Sequence, residues 1–302
     1  MKSIGKPNGI LLMASSSPIT VWGKSKSMHR RLERGLERLV VYCWSINNMA
    51  QPPQSTPDIH IPDGLMEVVF ILAGTYEKKE VNNEKEAKKV NGSCVIGLQT
   101  ESHFVKGRGI MHMVGIKFTP LGFARFFGHR VFASKNEQVE LADFGASWLC
   151  ELQGRMVETK GISAISQLIS SALQRQLARS GEVANSLEVS ANCISSIFAR
   201  KGCLTVEDLS ATHHKSVRQI QRYFREHFDA SPKEFINIIR FKNLYQDSII
   251  RQHLPHQFLD YGYFDQAHFI HDFRRRTGVS PTQAVQSDFL EKNKIAAINL
   301  GK

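Results

Sequence analysis

Apolar residues follow one period in the first half of the chain and another in the second half. Residues 39–46 (LVVYCWSI) are β-branched and aromatic, which is typical of a strand, and MEVVFIL, SCVIGL and IMHMVGIKF continue that pattern between turn residues. Several short strands at such intervals predict a small β-sandwich or barrel. The charged run over 76–92 is predicted to be a solvated hairpin between two of these strands.

A helix is predicted directly after the strands, in TPLGFARFFG. Thr119 suits the N-cap, Pro120 the first helical position, and Gly128 the end. The three phenylalanines of this segment would share one face, which we interpret as part of a core.

From about residue 150 the apolar period becomes helical. Ile162, Ile165, Ile169 and Ala172 follow one another at spacings of three, four and three. This stripe could form a short dimerisation seam or pack onto the preceding domain, and the sequence does not decide between them. The polar stretch ARSGEVANS that follows is a candidate domain boundary.

The C-terminal part of the chain contains an internal repeat. At an offset of 49, residues 216–232 (SVRQIQRYFREHFDASP) align with residues 265–281 (DQAHFIHDFRRRTGVSP). The alignment matches two N-cap residues, Ser216 and Asp265, and an apolar pair at i,i+4 that must face a core. A short helix and a turn are predicted before each copy, in TVEDLSATHHK and PHQFLDYGYF. In the first, Thr205 suits the N-cap with Asp208 as its capping-box partner, and in the second, Gly262 can take the turn conformation. The helix-turn-helix plan therefore occurs twice.

A long helix connects the two copies. Ser231 suits its N-cap, Pro232 its first position, and Glu234 completes a capping box for a helix that runs to about Ile250. Its ~19 residues span about 28 Å, close to the ~34 Å between successive major grooves of DNA. One chain could therefore read two adjacent groove segments.

The face of each repeated helix opposite the apolar pair is chemically distinctive. In the first copy it carries Arg218, Gln221, Arg222 and Arg225; in the second it carries Ala267, Ile270, His271 and Arg274. Arginine and glutamine suit bidentate hydrogen bonds to guanine and adenine edges, whereas alanine and isoleucine offer apolar contact to the thymine methyl group.

Metal-ligand spacing is also present in the second copy, at Asp265, His268 and His271. The repeat partners of these residues include Gln219 and Arg222, which do not suit a divalent cation. The duplicated scaffold explains the spacing without a metal, and none is predicted. His268 is either a DNA-reading residue or a partly buried structural histidine.

Charge is concentrated at the two ends of the chain. The net charge of +11 divides into +6 over residues 1–40, zero over 41–199 and +5 over 200–302. Basic ends suggest a nucleic-acid partner or an anionic membrane surface. The segment 1–40 is either a DNA-contacting arm or a solvated tail, and we favour the tail. Five scattered cysteines without a CxxC pattern, and no apolar run near ~18 residues, predict a cytoplasmic protein without membrane spans. The apolar run 10–14 is too short for a signal peptide and is interpreted as a leader strand or a disordered arm.

The run SVRQIQRYF…SPKEF…RF followed by GYFDQAHFIHDFRRRTGVSP resembles the paired helix-turn-helix domain of AraC/XylS-type bacterial transcription regulators, over about 183–290. IPDGLMEVVF and VGIKFTPLGFARFFG are similar to the cupin-like N-terminal domain of one subgroup. The resemblance implies a sequence-specific transcription regulator with a regulatory or dimerising N-terminal domain. The first turn departs from the family, with His213, His214 and Lys215 where a glycine flanked by apolar residues is usual.

The sequence and the resemblance together give an α+β chain with an N-terminal β-sandwich or barrel and an all-α C-terminal domain. The predicted divisions are a basic lead-in (1–37), a regulatory domain (38–148), linker helices (149–182), a DNA-binding domain (183–290) and a tail (291–302). The predicted DNA-binding residues are Arg218, Gln219, Gln221, Arg222, Arg225, Gln266, Ala267, His268, Ile270, His271 and Arg274. The predicted partners are double-stranded DNA, a small-molecule effector at the N-terminal domain, a second copy of the chain and, for an activator, RNA polymerase.

Two other functions compete with this interpretation. A nonspecific architectural DNA binder would use the basic ends alone, but its contact face would be mostly lysine. A metal-cupin enzyme would need His60, His103, His112 and Glu67 to converge on one point, and these histidines are isolated in the sequence. No nucleophile–base pair and no phosphate-binding loop is visible, so neither an enzymatic activity nor a cofactor is predicted.

Overall fold

An antiparallel sheet followed by helices forms the chain, which confirms the predicted α+β order. The computed structural model describes residues 19–22, 35–47, 57–83, 86–128, 135–181, 184–251, 258–287 and 289–292. Within these ranges the strands are β1 (Ile19–Trp22), β2 (Val40–Asn47), β3 (Asp58–His60), β4 (Met66–Glu80), β5 (Lys88–Val90), β6 (Cys94–Ile96), β7 (His103–Phe118) and β8 (Gln138–Glu140). Each segment predicted as a strand overlaps one of them. The apolar run 10–14 and most of the basic lead-in lie outside the described residues.

Two long strands, β4 and β7, form the centre of the sheet and pair along their whole length, from Met66 opposite Phe118 to Glu80 opposite His103. The strand order is β1-β2-β7-β4-β6-β8, with β3 also on β7 and β5 also on β4. The β4–β5 pair is the predicted charged hairpin. Register shifts interrupt the β4–β7 pairing near Gly74, which has a φ of 88° and would place a Cβ 2.0 Å from the Ile110 carbonyl oxygen. Such bulges bend a strand, so the sheet curls at this point.

Helix α1 (Pro120–Phe127) forms as predicted after the last long strand. The Thr119 hydroxyl accepts a hydrogen bond from the Gly122 amide at 3.0 Å, and Gly128 ends the helix with a φ of 67°. Phe123 is fully buried, and its aromatic neighbours in α1 pack edge-on against Phe118. The predicted core role of this face is confirmed.

Helices α2 (Ser147–Glu158) and α3 (Ile162–Arg179) follow the sheet. The apolar stripe of α3 is buried at Ile165, Ile169 and Ala172, in the same cluster as core residues of the sheet. Ile162, the first residue of the predicted stripe, is exposed. The other three side chains pack within the chain, which supports the packing alternative for that part of the stripe.

The remaining helices build the C-terminal half. They are α4 (Asn185–Ala199), α5 (Val206–His213), α6 (Val217–Phe228), α7 (Pro232–Arg251), a 3-10 helix (Phe258–Tyr261), α8 (Gln266–Thr277), α9 (Pro281–Gln286) and α10 (Phe289–Lys292). The predicted connector is α7, and its capping box is present: the Ser231 amide donates to Glu234 at 2.7 Å and the Glu234 amide donates to the Ser231 hydroxyl at 3.1 Å. In the part of the chain that is described, no helix is long and apolar enough to cross a membrane.

A buried ion cluster lies where the sheet meets α7. The Lys117 ammonium group is 3.0 Å from Asp63 and 3.3 Å from Glu67, and the Trp44 indole donates a hydrogen bond to Glu67. Burial raises the pKa of Asp63, but the nearby ammonium groups of Lys117 and Lys242 outweigh this effect and lower it. Lys242 belongs to α7, so the cluster links the sheet electrostatically to that helix.

Candidate nucleic-acid interface

The first helix-turn-helix unit consists of α5 and α6, and its entry is capped as predicted. The Thr205 hydroxyl accepts from the Asp208 amide at 3.1 Å, and the Asp208 carboxylate accepts from the Thr205 amide at 2.8 Å. This reciprocal pair satisfies two amide groups at the start of α5, which fixes where that helix begins.

The turn of this unit depends on a histidine in the left-handed region. His214 has φ 51° and ψ 42°, and it ends α5 in the left-handed conformation that glycine adopts most readily. A hydrogen bond spans the turn, because the Ser210 hydroxyl before His214 donates to the Lys215 carbonyl oxygen after it at 2.6 Å. An L-residue is strained in this conformation.

We expect His214→Gly to raise the free energy of unfolding by about 0.5–1 kcal/mol, because the relief of strain at φ 51° exceeds the entropy that glycine loses on folding. Urea unfolding of the two proteins measures the difference. His213→Gly is the matched control: it places glycine inside α5 and removes a 3.0 Å contact with Ser196, so it should destabilise the protein. A loss of stability in both variants would contradict the assignment of strain to His214.

Helix α6 presents the predicted polar stripe to solvent. Ile220, Phe224 and Phe228 are buried against the core. The exposed residues of the opposite face are Arg218, Gln221, Arg222 and Arg225. The Arg222 guanidinium lies 5.2 Å from the ring centre of Tyr223, which restricts the arginine without covering it.

Gln219 has a local role that the sequence interpretation missed. It is the third residue of α6, and its side-chain oxygen accepts from the Ser216 amide at 3.0 Å while its own amide donates to the Ser216 hydroxyl. The capping-box pattern Ser-x-x-Gln could have revealed this role from the sequence. Only the NH₂ group of the side chain is left for other contacts.

The second unit consists of the 3-10 helix and α8. A short helix was predicted over PHQFLDYGYF, but the described part forms a single 3-10 turn at Phe258–Tyr261, and residues 252–257 lie outside the described residues. Gly262 takes the predicted turn conformation with a φ of 76°. Asp265 caps α8 by accepting a hydrogen bond from the His268 amide at 2.7 Å.

Helix α8 buries Phe269 and Phe273 and exposes its other face. The exposed set contains every residue predicted to bind DNA from this helix, namely Gln266, Ala267, His268, Ile270, His271 and Arg274. The exposure of His268 contradicts the partly buried alternative. Its Nδ1 accepts from the Phe264 amide at 3.4 Å, so this ring, like Gln219 in α6, is engaged at the start of its helix.

Asp272 has a structural role. Its carboxylate accepts hydrogen bonds from the Tyr263 hydroxyl at 2.8 Å, from Arg276 at 3.0 Å and from Arg275 at 3.1 Å. Burial raises the pKa of Asp272, but Arg276 and these hydrogen bonds outweigh it and hold the pKa below its usual value. The side chain is therefore a charged anchor inside the second unit.

The C-terminal end of α8 is attached to the sheet. The buried Arg276 guanidinium donates to the Thr100 carbonyl oxygen at 3.4 Å, and Arg275 lies 3.5 Å from Glu101. Asn82, after β4, donates to the Arg275 carbonyl oxygen. We call these three links the α8–sheet contact; they connect the second unit to the N-terminal half.

The residues required by a metal-cupin enzyme do not form a ligand set. The rings of His60 and His103 stack with centroids 5.5 Å apart, whereas Glu67 is paired with Lys117. Across the described ranges, no group of three or more His, Cys, Asp or Glu side chains could hold a metal ion. The spacing of Asp265, His268 and His271 serves a helix cap and an exposed face.

Comparison with known families supports the helix-turn-helix geometry. Residues 209–287, which contain both α6 and α8, match a family model described as a helix-turn-helix domain. The chain carries an AraC-type helix-turn-helix domain. It is accordingly a DNA-binding transcription regulator, as the resemblance implied. Residues 33–140 match a domain of unknown function, DUF6597, which covers most of the sheet that precedes the AraC-type domain.

The chain is also similar to solved structures of regulators, at low identity. ToxT from Vibrio cholerae is 14% identical over 78% of this chain and 96% of its own, with a TM-score of 0.40. ToxT bound to an unsaturated fatty acid is 12% identical over 80% and 93%, with a TM-score of 0.39. The AraC-like transcriptional activator CuxR is 11% identical over 76% and 87%, with a TM-score of 0.26. Among curated protein sequences none matches the chain.

Proposed function

We propose that the AraC-type domain binds DNA sequence-specifically, with α6 in one major groove and α8 in the next. The supporting observation is the connector: α7 has 20 residues and belongs to the cores of both units. Its length of about 30 Å is close to the ~34 Å between successive major grooves. Since the two reading helices are held by one rigid element, they can enter two grooves together.

The chemistry of α6 favours sequence-specific over purely electrostatic binding. Its exposed stripe offers the planar groups of Arg218, Gln221, Arg222 and Arg225, and α6 contains no lysine. Guanidinium and carboxamide groups can bond two acceptors on one purine edge, whereas a nonspecific binder needs only point charges for phosphates. We therefore assign base reading in the first half-site to these four residues. Gln219 is left a smaller role, because its side-chain oxygen is used in the cap.

The chemistry of α8 differs along its length. The N-terminal end of α8, which we assign to base contacts, carries Gln266, Ala267 and Ile270. The positions further along the helix, within reach of bases or phosphates, carry His271 and Arg274. His268 lies at the edge of this surface. The second unit is thus proposed to read bases through fewer hydrogen bonds than the first.

Arg222→Ala is expected to weaken binding to the preferred DNA by ~1–3 kcal/mol and to relax discrimination at one base pair. The preferred sequence is first obtained by selection from random DNA with the purified full chain at about 150 mM salt, where phosphate contacts alone give weak binding. Fluorescence anisotropy then measures the affinity of both proteins for that sequence and for its single-base variants.

Arg200→Ala is the matched control for this experiment. Arg200 is an exposed arginine that ends α4, outside both reading helices, and its removal changes the net charge equally. Its loss should leave discrimination unchanged. An equal loss of affinity for all DNA sequences in the Arg222 variant would show that Arg222 contacts phosphate, against the assignment made here.

The other predicted properties stay predictions. They concern a small-molecule effector at the N-terminal half, a second copy of the chain, RNA polymerase, and action in the bacterial cytoplasm without a cofactor or a catalytic step. The α8–sheet contact gives an effector a physical path to the DNA-binding surface, because movement of the sheet would be transmitted to α8.

A further inference from the structure

Phe264 is an exposed aromatic residue beside the proposed DNA-binding surface. Its relative exposure is 87%, and in the described ranges it is the one phenylalanine among the exposed large hydrophobic residues. Phe269 and Phe273, in the helix that follows it, are buried. A side chain of this size in water is not accounted for by the core of the second unit.

Local packing does not explain Phe264 either. It stands one residue before Asp265, the N-cap of α8. A hydrophobic residue at that position often packs against the fourth residue of the helix, here Phe269. Phe269 is instead covered by Phe258, whose ring is stacked 5.9 Å away, and by Tyr263 at 5.7 Å. The ring of Phe264 is thus left free at the start of the reading helix.

The exposed face of α8 is concave and partly apolar. A depression of about 410 Å³ runs along α8 and is lined by Ala267, Ile270, His271, Arg274 and Arg275. Its apolar residues lie nearer the N-terminal end of α8, and both arginines lie nearer the C-terminal end. Phe264 precedes Ala267, the lining residue nearest the start of the helix, by three positions.

We propose that Phe264 contacts the 5-methyl group of a thymine in the second half-site. The N-terminal part of a recognition helix approaches base edges most closely, and phenylalanine, like alanine, can pack on the thymine methyl group in the major groove. The inference rests on the proposed placement of α8 in a major groove. It makes the two half-sites chemically different, with purine edges read through hydrogen bonds by α6 and thymine methyl groups read through apolar contact at α8.

The repeat supports this asymmetry. At the offset of 49, the position of Phe264 is occupied in the first unit by Lys215, which is partly buried and belongs to the turn. The charged end of a lysine has no apolar surface for contact with a methyl group. Recognition of a thymine methyl group from this position would therefore be confined to the second unit.

A double-mutant cycle between the protein and the DNA tests the inference. Each thymine of the selected second half-site is replaced in turn by deoxyuridine, which lacks only the methyl group, and affinity is measured for the full-length wild type and Phe264→Ala. At one position the wild type should lose about four-fold in affinity, the value of one buried methyl group. Phe264→Ala should bind the thymine-containing DNA at least about four-fold more weakly than the wild type does. Replacing that thymine by deoxyuridine should then cause no further loss of affinity in the variant.

Leu259→Ala is the control, because Leu259 is 60% exposed in the 3-10 helix of the same unit. It should keep the full deoxyuridine effect. The inference would be overturned if the effects of Phe264→Ala and of deoxyuridine on the binding free energy were additive at every thymine. It would also be overturned if the variant bound DNA as the wild type does but no longer activated transcription. That second result would place Phe264 on a protein-docking surface.

The outcomes also separate this inference from the proposed function. If selection with the wild type recovers no sequence preference, the proposed function fails and the inference fails with it. If Arg222→Ala relaxes discrimination as expected while the Phe264 cycle is additive, only the inference about Phe264 is overturned.

Discussion

Arg276→Met is expected to lower the free energy of unfolding by about 3–5 kcal/mol, because it leaves the buried carboxylate of Asp272 without its main counter-charge. Arg276 is 3% exposed, donates to Asp272 at 3.0 Å and lies 5.2 Å from the ring centre of Phe241. Methionine keeps much of the packing volume but none of the charge. Urea unfolding at pH 7 measures the loss. Arg274→Met, on the exposed face of the same helix, is the control and should change stability by no more than ~0.5 kcal/mol.

The pH dependence of this difference follows from the pKa of Asp272. In the wild type that pKa is lowered on folding, so the carboxylate stabilises the protein above its unfolded pKa of about 4 and this contribution is lost as the pH falls through the lower folded value. Without Arg276, burial dominates and raises the pKa of Asp272 in the folded variant. Protonation of this carboxylate at low pH should then restore part of the lost stability. The difference in the free energy of unfolding between the wild type and Arg276→Met should decrease as the pH falls to about 4. A gap that is independent of pH would show that packing, and not charge, causes the loss.

Lys117→Met is expected to destabilise the chain by a similar ~3–5 kcal/mol, because Asp63 and Glu67 would then be buried together without a cation. In the wild type the two carboxylates hold the pKa of Lys117 above its ordinary value despite its burial. Burial already raises the pKa of Glu67, and without Lys117 it would raise the pKa of both carboxylates in the folded variant. The loss of stability should therefore be largest at neutral pH, where both carboxylates are charged in the unfolded variant, and smaller at low pH, where they bind protons in both states.

Lys79→Met is the matched control for Lys117→Met, since Lys79 is an exposed lysine of β4. Urea unfolding of the three proteins at pH 7 and pH 4.5 distinguishes the outcomes. A loss in Lys117→Met no greater than in the control would show that the buried ion cluster contributes little to stability.

The features that the sequence predicted correctly are local or repeated. The caps at Thr119, Thr205, Ser216 and Ser231 depend on side chains within a few residues, so short patterns are sufficient to locate them. The two reading helices were located because the repeat compares the chain with itself, and the shared apolar pair fixes which face of each helix is exposed.

The features that could not be predicted depend on distant partners. Thr100 meets Arg276 and Asn82 meets the Arg275 carbonyl oxygen only because the chain folds back over more than 170 residues. For the same reason the pattern in α8 did not distinguish buried Arg276 from exposed Arg274. Phe264 was overlooked because a phenylalanine in a sequence is expected to be buried, and its exposure is visible only once Phe258 and Tyr263 are seen to cover Phe269.

The two-sided burial of α7 constrains the targets available to this regulator. Phe235, Ile236 and Ile239 pack in the core that includes the first unit, while Phe241, Leu244 and Tyr245 pack in the core of the second, so α6 and α8 cannot rotate independently. An extra base pair between the half-sites would turn one of them by about 35° around the duplex axis, given ~10–10.5 base pairs per turn. In the proposed binding mode, the promoters under its control can therefore differ in the bases that they present, but their half-sites must share one rotational phase.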